Sequence, residues 1–285
     1  MKYNFDCVVV GAGIAGMTAA IYLKRANTNV LILDNDAPGG LLNKIDKIEN
    51  YPGYLSITGP ELAYKVYEQV QNLNIEIRYG KVLEIDNHII KTDMDTISAS
   101  KIIIATGRQA KKLKDTNDIK NISYCTVCDA NMYKDKTVAL IGNDSNAVKE
   151  AIYLNEICKE VILIYKCNIE KDLINSLKNE EGIKILENST INTLEKKDNK
   201  IISINTNYGN YNIDGLFVSL GYEPNVNFLK NLTTENGYIV VNDKMQTNID
   251  YIYACGDIIK KDVYQLTTAV GEATKAAINV KKSLN

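Results

Sequence analysis

Apolar runs and glycine turns set the rhythm of this chain. Val8 to Val10 read as a buried strand that runs into Gly11, Gly13 and Gly16, and Met17 to Arg25 read as the helix that follows. A second apolar run, Val30 to Leu33, reads as a strand ending at Asp34. The same order returns in TVALIGNDSNAVKEAIYLNEICKEVILIYKCN. There an apolar strand enters Gly142, a helix opens near Ser145, and a second strand closes on Tyr165. Twenty-three positions separate Gly11 from Asp34, and 23 separate Gly142 from Tyr165. The pattern predicts an α/β protein built on a duplicated nucleotide-binding unit.

The first unit carries the chemistry of a dinucleotide turn. G-x-G-x-x-G between a strand and a helix puts Gly11 at the tight turn, Gly13 where backbone approaches a pyrophosphate, and Gly16 where helix and strand pack closely. Asp34 then stands where an acid hydrogen-bonds the adenosine ribose. The second unit, VALIGNDSNAVKEA, keeps the outline and changes these positions. Asn143 and Asp144 occupy the turn, Asp144 in the place of the second glycine, and no acid ends its second strand. A carboxylate about 4 Å from a phosphate oxygen costs roughly 1 kcal/mol at bulk-water dielectric and about 4 near a protein surface. A helix amino terminus favours an anion by only about 0.3 to 1 kcal/mol at an exposed site. Repulsion wins on these magnitudes. The alternative, that Asp144 merely caps the helix, leaves no empty phosphate site either.

The totals narrow the class further. A chain of 285 residues is long enough for two domains with cores of their own. Net charge is −2, with charged residues scattered rather than blocked, which marks no nucleic-acid binder. The apolar amino terminus is interrupted by Asp6 and Cys7 and carries motif-spaced glycines, and no long apolar span follows. A soluble, cytoplasmic protein is expected, with no membrane partner.

Six cysteines stand at 7, 125, 128, 158, 167 and 255, and only Cys125 and Cys128 are close in sequence. Their C-x-x-C spacing suits a redox pair, since a helix start or nearby cation lowers one thiol's pKa and makes it a nucleophile. Zinc wants four ligands, and neither a second C-x-x-C nor a histidine other than the distant His88 is present, so no metal is expected. Asp129, next to the pair, is a candidate proton shuttle. Cys7, Cys158, Cys167 and Cys255 read as packing residues.

In order and spacing, GAGIAG near residue 11, PGGLL at 38–42, IENYPG at 48–53, IIIATG at 102–107, CTVCD at 125–129 and YACGD at 253–257 followed by YQLTTAVGEA carry a resemblance. Along essentially its whole length the chain resembles the low-molecular-weight thioredoxin reductase family. The resemblance implies two Rossmann-like domains: a discontinuous FAD-binding domain, and an inserted disulfide domain with a pyridine-nucleotide fold. It also implies a homodimer and thioredoxin as protein substrate. By position, Gly11, Gly13, Ile14, Ala15, Gly16 and Asp34 should hold the ADP half of FAD. Gly40, Leu41, Asn50, Thr106 and Gly107 should line its path, with Val82 at the adenine. Gly256 and Asp257 should meet the ribitol or phosphate, and Gln265 and Leu266 the flavin ring. Cys128 is expected beside the flavin and Cys125 as the thiol that attacks thioredoxin, with Asp129 moving protons.

Departures from the family pattern sharpen the reading. Leu41 replaces a common Gln, and Ala130 replaces Gly after CxxCD. NADPH-dependent members resemble GxGxxA followed by HRRxxxR; here GNDSNA is followed by Tyr165, Lys166, Cys167 and, last, Lys171. Lysine offers a point charge without the planar fork of arginine. The inserted domain therefore resembles that of the ferredoxin-dependent flavin thioredoxin reductases, which lack a working pyridine-nucleotide site. Reduced ferredoxin is the expected donor. An NADPH-dependent reductase with an atypical site is the alternative, and a flavin-binding partner protein without turnover is a third. Domain boundaries are expected at the charged stretch KKLKDTNDIKN and at NDKMQTN, giving 1–114 with 245–285 for FAD and 115–244 for the disulfide domain, with hinges near 114 and 244.

Overall fold

A computed structural model describes residues 3–114, 116, 118–166, 171–177, 180–224, 226 and 228–284. The chain forms two compact units, 1–109 with 224–285 and 110–223.

The first unit opens with β1 (Phe5–Val10), α1 (Ile14–Arg25) and β2 (Val30–Asp34). After α2 (Gly59–Asn72) come β3 (Glu76–Tyr79), β4 (Val82–Asp86), β5 (Ile89–Thr92) and β6 (Thr96–Ile104). Strands β3, β2, β1 and β6 lie side by side and parallel, while β4 and β5 continue from β6 as an antiparallel meander. The period of two sorts their side chains. Cys7, Val9 and Ile32 join the helix side of the core, and Val8, Val10, Leu31 and Leu33 the opposite side. Covered on both faces, these strands read as unbroken apolar runs.

Short strand β7 (Arg108–Ala110) lies where the chain leaves this unit. The second unit has β8 (Ile122–Ser123), α3 (Thr126–Asp129), β9 (Thr137–Gly142), α4 (Ser145–Asn155), β10 (Glu160–Ile164), α5 (Lys171–Leu177) and β11 (Ile183–Leu186). A separate antiparallel sheet, β12 (Ile191–Lys197), β13 (Lys200–Thr206) and β14 (Gly209–Asn212), precedes β15 (Gly215–Ser219). The parallel order β11-β10-β9-β15-β8 repeats the β3-β2-β1-β6 order of the first unit. Val138 and Leu140 pack on Ala147, Val148 and Ala151 of α4, and Ala139 faces Ile201 and Ile204 of β13.

After β16 (Tyr222–Pro224) the chain forms the hairpin β17 (Thr234–Glu235) and β18 (Tyr238–Ile239), then β19 (Ile252–Ala254) and α6 (Leu266–Ser283). Strand β19 adds to β6, and Ala269, Ala273, Ala276 and Ala277 bring α6 against α1. The return thus falls at 224, where the sequence suggested 245. Phe228 and Ile239 pack among Val8, Ile102 and Ile104, which binds residues 228–244 to the first core. Helix α1 also begins at Ile14, earlier than the expected Met17, because Gly13 is already its cap residue.

Candidate functional site

The first-unit turn is shaped by its glycines. Gly11 takes φ +107°, and a Cβ there would press into the carbonyl of Ala105; a Cβ at Gly16 would overlap the Gly11 carbonyl oxygen. No side chain fits either place. Gly13 caps α1 with extended backbone, provides no side-chain acceptor, and has nothing within 4 Å of where a Cβ would stand. Helix N–H groups left without a side-chain cap are the donors that take an anion.

Asp34 ends β2 and accepts the N–H of Ala12 and, at 3.0 Å, that of Asp36. Burial raises its carboxyl pKa, and these backbone hydrogen bonds oppose the rise. A cleft of about 490 Å³ brings together Gly11, Asp34, Val82 and Thr106, joined by Lys81 and Gln109.

Other expected residues gather in pairs. Gly40, with φ +55°, comes against Gly13, and Gly256 lies against the Ala15 methyl that follows Ile14 in α1. Asn50 Nδ2 donates to Gln265 Oε1 at 3.1 Å, although 215 positions separate them. Leu266 opens α6 and packs on the helix-side core, Leu41 is half-buried in a 3-10 turn at Gly40–Lys44, and Gly107 takes φ +62°. Sequence reading missed the ion pairs around Asp257. Arg108 meets Asp257 at 2.9 Å, and Lys261 bridges Asp257 at 3.3 Å and Glu272 at 2.9 Å. Glu272 accepts the Gly256 N–H at 3.0 Å. Burial pushes the Glu272 carboxyl pKa up, against the pull of Lys261.

The second-unit turn is closed where the first is open. Asp144 caps α4, its Oδ1 accepting the N–H of Asn146 at 3.0 Å and of Ala147 at 3.2 Å. Asn143 Oδ1 accepts the Lys166 N–H at 3.1 Å, tying the turn to the end of β10. Tyr165, at the position of Asp34, is buried with its hydroxyl pKa pushed up to about 12, chiefly by burial. Cys167 and the residues up to Glu170 lie outside the described residues. Lys166 is exposed.

Cys125 and Cys128 are joined in a disulfide at the start of the one-turn helix α3, with Cys125 half-buried and Cys128 exposed. Ser123 Oγ donates to Asp129 Oδ2 at 2.7 Å and accepts the Cys125 N–H at 3.1 Å, so Asp129 is fastened to the pair through one hydroxyl. On the other side, Thr126 Oγ1 donates to Glu150 Oε2 at 2.9 Å. Neither Ser123 nor Glu150 was singled out from the sequence. The spacing of Asn146 and Glu150, four apart on α4 and hydrogen-bonded at 2.6 Å, was the available signal. Cys7, Cys158 and Cys255 are free and buried. Burial raises each of these thiols, to about 11 for Cys158 and about 12 for Cys255. Among the described residues no helix is long and apolar enough to cross a membrane.

A duplicated dinucleotide fold with an open turn in one unit and a disulfide in the other defines a class of two-domain disulfide oxidoreductases. Residues 5–273 match the model of the pyridine nucleotide-disulphide oxidoreductase family. The chain is 38% identical to thioredoxin reductase of Ureaplasma parvum, across 98% of this chain and 96% of that one. Its structure is similar to that of Lactococcus lactis thioredoxin reductase, with TM-score 0.86, 34% identity and 99% of each chain covered. It is also similar to the ferredoxin-flavin thioredoxin reductase of Clostridium acetobutylicum, with TM-score 0.57, 32% identity and 98% of each chain covered. The chain belongs to the pyridine nucleotide-disulphide oxidoreductases and, within them, to the low-molecular-weight thioredoxin reductase family. Members of this group are FAD flavoproteins. The open Gly13 turn and the Asp34 cleft fit the dinucleotide of FAD.

Proposed function

We propose that this chain reduces thioredoxin with electrons from reduced ferredoxin, working as a cytoplasmic homodimer. When bound, FAD supplies the exchange between a one-electron carrier and the two-electron disulfide. Gly11, Gly13, Gly16 and Asp34 hold its dinucleotide; Asp257, braced by Arg108 and Lys261, serves the ribitol side; Asn50 and Gln265 line the path to the ring.

Opening the Cys125–Cys128 disulfide yields two thiols. Cys125 attacks the thioredoxin disulfide and forms a mixed disulfide; Cys128 displaces it, releasing the reduced thioredoxin thiols and restoring the internal bond. Asp129 takes and returns the protons, held in position by Ser123.

The observation that carries the choice of donor is the Asp144 cap. Its carboxylate engages the α4 N–H groups that a pyrophosphate would need. An NADPH-dependent thioredoxin reductase with an atypical nucleotide site is the second reading. It draws on the exposed Lys166 beside Asn143 and on relatives named simply thioredoxin reductase. An anaerobic thioredoxin assay supplied in turn with reduced ferredoxin, NADPH and NADH decides between them. Turnover with ferredoxin alone is expected; rapid flavin bleaching by NADPH followed by thioredoxin reduction overturns the proposal.

A further inference from the structure

Helix α3 is a single turn carrying both ends of the redox pair, and Cys125, its cap residue, makes no side-chain capping hydrogen bond. Side chains hold it instead. On one flank Ser123 ties Cys125 to Asp129, and on the other Thr126, the buried residue directly after Cys125, donates to Glu150. Glu150 belongs to α4, the helix whose nucleotide turn Asp144 closes. Its other oxygen accepts from Asn146. Hydrogen bonds from two elements, one to each oxygen, fix this half-buried carboxylate against the residue that follows Cys125.

We infer that Glu150 is a positioning residue of the redox pair, setting through Thr126 how readily the Cys125–Cys128 disulfide opens. The inference rests on the reading of these cysteines as the redox pair. Ring closure fixes Thr126 in the geometry that reaches Glu150, and opening frees the turn. Whatever part of the contact is lost on opening favours the closed form by the same factor. A hydrogen bond to a charged, half-buried acceptor is of the stronger kind. Burial raises the carboxyl pKa of Glu150, and the hydrogen bonds from Thr126 and Asn146 oppose that rise.

The test equilibrates the FAD-loaded enzyme in glutathione buffers and traps the thiols by alkylation under denaturing conditions. Each opening takes up two electrons and two protons from two glutathione molecules, which leave as one glutathione disulfide; two extra alkyl groups per chain report it. Glu150→Ala and Thr126→Val should each shift the equilibrium toward the dithiol about tenfold, equivalent to about 30 mV. The double variant should shift it no further than either single one. Glu150→Gln keeps an oxygen for the Thr126 hydroxyl and should stay within about twofold of the parent. Thr126→Val leaves α4 and its Asn146 contact alone, so the prediction stands even where Glu150→Ala disturbs folding. Unmoved equilibria in both single variants overturn the inference, as does a Glu150→Gln shift equal to that of Glu150→Ala. Neither donor nor thioredoxin enters the measurement, so failure of the donor proposal leaves this result standing. An enzyme that reduces thioredoxin while these variants leave its equilibrium unchanged overturns the positioning role alone.

Discussion

At the start of α1, Gly13 leaves the first helix N–H groups without a side-chain partner; at the start of α4, Asp144 takes two of them with one oxygen. Both cap residues have extended backbone, with ψ 179° and 178°, and both follow a strand that ends beside its parallel neighbour. The difference is therefore one of side chain on a shared frame. An Asp cap stabilises a helix by only about a few tenths of a kcal/mol relative to glycine. One side chain thus caps the helix with the same N–H groups that an anion would use. The core of β9, α4 and β10 and the Glu150 contact to the disulfide turn lie away from the turn residues 143 and 144, so they do not depend on whether that turn takes a nucleotide.

Moving the carboxylate from one turn to the other is the strongest way to break this contrast. Gly13→Asp should lower FAD affinity about a thousandfold, the effect of about 4 kcal/mol of repulsion near a protein surface. Fluorescence titration of the apoprotein with FAD measures it, and an unchanged affinity would remove the distinction between the turns. A steric pair comes next. Gly16→Ala drives a methyl into the Gly11 carbonyl, which is backbone and cannot step aside, whereas Gly142→Ala meets the Ala147 methyl first. Both should destabilise by about 1 to 3 kcal/mol in thermal unfolding, and only Gly16→Ala should also release flavin. The smallest effect is expected of Asp144→Gly. Relief of roughly 1 kcal/mol at this exposed site should raise NADPH affinity about fivefold by calorimetric titration. Stability should change by only a few tenths of a kcal/mol. No gain in affinity would mean that Asn143 and Tyr165, not Asp144, shut the site.

What could be read from the sequence was local and periodic. The paired 23-residue rulers, the glycines of the first turn and the C-x-x-C pair all depend on neighbours within one strand-turn-helix unit. The contacts that were missed join distant positions: Thr126 to Glu150 across 24 residues, and Arg108 to Asp257 across 149. No spacing rule announces such pairs, because the sheet order brings them together. The return point was misplaced for a related reason. Phe228 and Ile239 lie in short, irregular segments whose membership is decided by packing against β1 and β6. Asn27, Asn74, Asn188, Asn231 and Asn236 all take positive φ, doing at turns what glycine does elsewhere.

The split of the first unit across the chain also dictates an order of assembly during synthesis. Residues 110–223 are contiguous and can collapse as soon as they leave the ribosome, whereas β6 waits for β19 and α1 waits for α6. At about 5 to 20 residues per second, the roughly 60 residues from Pro224 onward take roughly 3 to 12 s to translate. During that interval residues 110–223 are fully synthesised while the helix-side core of the first unit still lacks β19 and α6, so the first unit closes last.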